Sequence, residues 1–70
     1  MTPAVTVVIN GESREIPAGL TVNEMLARLG ILAGRVALEY NQEILPRSRW
    51  DHTRVQSGDR FEIVHFVGGG

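Results

Sequence analysis

The sequence predicts an α+β roll, a mixed sheet of about five strands with one main helix packed across one face. Three observations predict it. A β-branched run at residues 5–9 meets Asn10-Gly11, a two-residue hairpin signal, because both turn positions require positive φ. A single stretch, opening at Thr21, carries a helix cap and a helical apolar stripe. The remaining apolar runs are short and alternate as strands do, and one helix cannot cover both faces of the sheet they form.

Taken in order, Val5, Val7 and Ile9 share one strand face, with Thr6 and Val8 on the other. The return strand is expected from Glu12 to Ile16, ending at Pro17. Thr21-Val22-Asn23-Glu24 fits a capping box, with Thr21 as N-cap and Glu24 reaching back. Val22, Met25, Leu26 and Leu29 form the core stripe, and Gly30 is expected to end the helix at its C′ position. Residues 36–40 alternate as a half-buried strand, Asn41-Gln42-Glu43 is expected to turn, and Ile44-Leu45 to form a short strand stopped by Pro46. Ser48 and Asp51 fit a second capping box over a single helical turn, and Trp50 should bury its ring while its indole N–H finds a carbonyl. Residues 57–59 turn into a last strand over residues 60–67. There Phe61 and Ile63 face the helix, while Glu62, Val64 and Phe66 face away. The first hairpin and this last strand should form the centre of the sheet.

Seventy residues make one domain, expected as a body of residues 1–67 and a flexible tail of residues 68–70. There is no cysteine, so disulfides, thiolate metal sites and thiol nucleophiles are excluded. A formal charge of −1 gives no general attraction to nucleic acid or acidic membranes. With neither a signal peptide nor a membrane-length apolar run, the chain reads as cytoplasmic. All seven basic residues are arginines, so the chain cannot be joined into lysine-linked polymers.

The chain ends Phe66-Val67-Gly68-Gly69-Gly70. Glycines add nothing to a fold, but they give a slim tail that can thread a narrow channel and deliver the Gly70 carboxylate to a reagent there. The tail alone reads equally as a frayed terminus.

Hairpin, capped helix and glycine end together resemble the ThiS family, the sulfur carriers of thiamin biosynthesis, with a ubiquitin-like β-grasp fold. The stretch Asn41-Gln42-Glu43-Ile44-Leu45-Pro46-Arg47-Ser48-Arg49-Trp50 is similar to the family's Asn-Gly-x-Ile/Val-Val-Pro-Arg-x-x-Trp, with Gln42 where glycine is usual. Val55-Gln56-Ser57-Gly58-Asp59 resembles its turn before the last strand, and Gly68 extends the usual diglycine to three. The resemblance implies a protein substrate rather than an enzyme. An E1-like enzyme would adenylate Gly70 with ATP, a persulfide donor would convert the acyl-adenylate to a thiocarboxylate, and a thiazole synthase would take the sulfur. Gly69 and Gly68 would thread the partner's active site. The carrier itself would bind no cofactor, with ATP held by the partner, and would be a monomer when free.

Partner docking is expected on the face the helix leaves open, through Val8, Val64 and Phe66. His52 and His65 lack metal spacing and read as surface residues, and Glu12 and Glu15 lie on opposite strand faces. Asn23 and Glu24 are helix-start residues. Arg47 and Arg49 read as solvated surface charge, and no glycine loop cradles phosphate. Three other functions compete. They are a sulfur carrier for molybdopterin synthesis, a ubiquitin-like modifier of target amines, and a regulatory or RNA-contacting domain with a passive tail, which the missing basic patch disfavours.

Overall fold

A computed structural model describes residues 3–66. Five strands, β1 (Ala4–Ile9), β2 (Glu12–Pro17), β3 (Val36–Tyr40), β4 (Glu43–Ile44) and β5 (Arg60–His65), form one sheet in the order β2-β1-β5-β3-β4. β1 and β5 run parallel and the other neighbours antiparallel, so the sheet is mixed as expected. The last strand is the central one as expected, but the first hairpin does not share the centre, since its β2 is an edge strand.

Asn10 and Gly11 close the first hairpin with φ of 51° and 83°, the positive values that its two-residue turn demands. Pro17 ends up inside β2, opposite Ala4, where an edge strand leaves its missing N–H unneeded. Helix α1 (Val22–Arg28) is capped at both ends. Thr21 accepts from the Glu24 amide while the Glu24 carboxylate accepts from the Thr21 amide, the complete capping box. At the other end Gly30 takes φ +76°, Ile31 N–H bonds the Leu26 carbonyl and Gly30 N–H bonds that of Ala27, the two bonds of a Schellman cap.

Val22, Met25 and Leu26 of the helix meet Val7, Ile9, Ile16, Val36, Leu38, Phe61 and Ile63 of the sheet, with Trp50 and Val55 filling the side. The faces of β1, β3 and β5 alternate as the sequence predicted. Two further expectations are corrected. The second hairpin turns on Asn41 and Gln42 alone, both with positive φ, so β4 is Glu43–Ile44 rather than Ile44-Leu45. The segment after Pro46 is a 3₁₀ turn, Arg47–Arg49, without a side-chain cap, so Ser48 and Asp51 form no capping box. Asp51 instead accepts a hydrogen bond from the Asn23 carboxamide, tying this turn to the start of α1. No helix among the described residues is long and apolar enough to cross a membrane.

Candidate functional site at the exit of the last strand

β5 is the last strand before the glycines in sequence, and its start is held by side chains as well as by the ladder. At its start, Asn41 exchanges two bonds with Arg60. Its amide donates to the Arg60 carbonyl at 2.8 Å, and its Oδ1 accepts from the Arg60 amide at 2.9 Å. Next to it the buried Asp59 carboxylate accepts from Tyr40 Oη at 3.0 Å, the Gln56 amide at 2.8 Å and Asn41 Nδ2 at 3.4 Å. A buried carboxylate is tolerable because its lone pairs are so well occupied. Burial, and then the hydrogen bond and negative charge of Asp59, push the Tyr40 hydroxyl above its ordinary value.

At its far end, Phe66 N–H bonds the Arg35 carbonyl at 2.9 Å, the last backbone bond among the described residues. Beside it the 3₁₀ turn is locked onto β3. The Arg47 guanidinium donates to the Val36 carbonyl at 3.0 Å and lies 5.2 Å from the Trp50 ring centre. Trp50 is buried and its Nε1–H donates to the Leu45 carbonyl at 2.9 Å, a carbonyl partner as the sequence led us to expect. Arg47 therefore is not merely a solvated charge. β4 stops at Ile44, leaving the Val36 carbonyl without a strand beside it, and the arginine fork supplies the donor.

Val64 and Phe66 are 62% and 58% exposed, too much for core residues. Val64 pairs directly with Ala37 on the face opposite α1, and Ile44, 78% exposed, lies on that same face opposite Glu39. Phe66 continues this apolar strip to the end of the sheet, where a shallow cleft of about 250 Å³ separates it from Pro46 and Arg47. Val8 shares the open face but is half-buried and sits opposite Arg60, four positions before Val64 on β5. At strand rise this is about 13 Å away along the sheet. The structure thus brings Val64 and Phe66 together with Ala37 and Ile44, and leaves Val8 apart. Ala37 and Ile44 were missed because a lone alanine and a two-residue strand carry no signal of a shared surface.

Gly68, Gly69 and Gly70, with Val67 and the expected boundary between residues 67 and 68, lie outside the described residues. His52 and His65 are exposed, and no group of three His, Cys, Asp or Glu able to hold a metal occurs among the described residues.

The ThiS family model matches residues 7–70. The sulfur carrier protein ThiS of Escherichia coli is 34% identical over 64 residues, covering 91% of this chain and 97% of that protein. A thiazole synthase of Paramagnetospirillum magneticum is 48% identical over 63 residues, which cover 90% of this chain but only 19% of the synthase. The chain thus spans about a fifth of that relative's length. The crystal structure of the thiamine biosynthesis protein ThiS from Geobacter metallireducens superposes with a TM-score of 0.80 at 35% identity, over 94% of this chain and all of that one.

Proposed function

The chain belongs to the ThiS family, and from that premise we propose that it carries sulfur for the thiazole of thiamin as a C-terminal thiocarboxylate on Gly70. The observation that carries the proposal is the glycine end, Gly68-Gly69-Gly70, three residues beyond the end of a central strand held at both ends. A carboxylate is a poor acyl donor, so an E1-like enzyme first joins it to the AMP part of ATP and releases pyrophosphate. The terminal sulfur of a persulfide donor then attacks the acyl carbon and AMP leaves. A thiol attacks the donor-side sulfur of the resulting acyl disulfide, becomes joined to the donor in a new disulfide, and leaves a thiocarboxylate on Gly70. A thiazole synthase takes up that sulfur, and water restores the carboxylate.

The proposal assigns the chain no acid, base or metal: it is a substrate for its partners, and ATP binds the activating enzyme. Glycine backbone lets Gly68 and Gly69 lie extended in a channel that side chains would block. The open-face strip of Val64 and Phe66, extended by Ala37 and Ile44, is the surface we assign to docking, with Val8 at most at its margin. A thiazole synthase with a region so like this chain supports that enzyme class as one partner. ATP and reducing thiols are cytoplasmic resources, so the proposal sets the cycle there.

Intact-mass measurement after incubation with the activating enzyme, ATP and a persulfide donor tests the reading. A gain of about 16 mass units, sulfur replacing one oxygen at the activated acyl group, is expected. Removing Gly70 should leave the fold unchanged and abolish the gain. A truncated chain that still gains the mass refutes Gly70 as the carrier.

A further inference from the structure

The backbone of Asn10 makes the first hairpin turn, a task glycine would do as well. Its side chain has a different task. β1 ends at Ile9, and the last backbone bond between it and β5 runs from the Asn10 amide to the Phe61 carbonyl at 2.9 Å. β5 continues to His65. Arg60 and Phe66 turn their backbone groups towards the β3 side, so by alternation Ile63 turns its own towards the side where β1 has already ended. There the Asn10 side chain takes over. Its Oδ1 accepts from the Ile63 amide at 2.7 Å and its Nδ2 donates to the Ile63 carbonyl at 3.2 Å. A carboxamide carries the same donor and acceptor as a peptide unit, so Asn10 adds one rung to the parallel ladder after its strand has turned away.

That rung sits three positions before Phe66 on the strand that leads to the glycines. We propose that Asn10 is a positioning residue for the tail. It fixes the direction in which β5 hands the chain over, so that a docked carrier already aims its carboxylate into the partner's site. The proposal rests on the sulfur-carrier reading. Docking is the work of the open face, which the Asn10 side chain does not form, so the residue should act on turnover rather than on affinity.

The test compares Asn10→Gly with Thr21→Ala. The first keeps a positive-φ turn and removes the rung. The second removes the N-cap of α1 and serves as a destabilised control. Both are assayed well below their melting points with the adenylating enzyme of the same organism, by pyrophosphate release, alongside amide hydrogen exchange. In Asn10→Gly the Ile63 amide should exchange about tenfold faster or more, as loss of a half-buried rung implies. Its kcat should fall about tenfold, with KM within about twofold, since an ångström-scale misplacement of a reacting group is felt in the rate. Thr21→Ala should keep its kcat. A kcat for Asn10→Gly near that of the wild type, or an equal fall in both variants, overturns the proposal. A wild-type chain that is never adenylated refutes the sulfur-carrier reading itself, a result distinct from either.

Discussion

Phe66→Ala separates docking from folding at the most informative position on the open face. A fully buried Phe→Ala change costs about 3–5 kcal/mol. Phe66 keeps 58% of its surface exposed, so the folding loss scales down to about 1–2 kcal/mol. In a domain of this size that lowers the melting temperature by about 5–15 °C. Phe61, buried and stacked 5.3 Å from the Tyr40 ring, sets the contrast, because Phe61→Ala should remove much of the domain's whole stability of a few kcal/mol. At an interface the order reverses. An aromatic anchor that becomes fully covered on binding costs about 2 kcal/mol when truncated, about a thirtyfold rise in KM for the adenylating enzyme. The assay is pyrophosphate release against carrier concentration, read beside a thermal melt. The expected pattern is a modest melting shift, a large rise in KM and a kept kcat. A KM within about twofold of wild type, with the melting shift as stated, would show that Phe66 only finishes the end of the sheet.

Two further predictions concern the scaffold around β5. Gln42 occupies a left-handed position, φ +74°, that suits glycine, so Gln42→Gly should stabilise the domain by about 0.5–1 kcal/mol after the entropy of glycine is subtracted. A lower melting temperature for that variant would mean that the Gln42 side chain contributes a compensating contact. Tyr40 is the chain's single tyrosine, so an absorbance titration reads it alone and should place its pKa above the ordinary value of 10.0. The folded state holds the proton more tightly than the unfolded one. The resulting stability is complete below pH 10.0 and is lost as pH rises through the folded value. Tyr40→Phe should lack this alkaline loss while giving up about 1 kcal/mol at neutral pH with the Asp59 bond. An unchanged alkaline limb in that variant would assign the loss to other groups.

Local chemistry made most of the fold legible. The Asn10-Gly11 hairpin, the Thr21 capping box and the Gly30 cap are each decided by residues within one turn of one another, and each formed as read. β4 slipped by one residue for an equally local reason. Glutamine does not advertise positive φ, so the turn was read as three residues where Asn41 and Gln42 suffice. The docking strip was legible only as alternation along β5. Which residues join Val64 depends on the β3–β5 and β3–β4 registers, which set Ala37 beside Val64 and Ile44 opposite Glu39.

The side-chain contacts that stayed illegible share one physical cause. The strands of so small a sheet end before their neighbours do, and each early end leaves backbone groups that something must satisfy. In this chain side chains do it. Asn10 completes the ladder at Ile63, Asn41 at Arg60 and Arg47 at the Val36 carbonyl. The Asn10 contact spans 53 positions in sequence, so no window of the chain contains both partners. An asparagine in a turn or an arginine on a surface thus reads as finished business when only its neighbours are in view. Two of these three contacts, those of Asn10 and Asn41, fall on β5 itself, and both use an asparagine held at positive φ by a hairpin. The same two turns that reverse the chain thereby grip the strand between them. In this way a sheet with few strands holds firmly the strand from which the glycines follow in sequence.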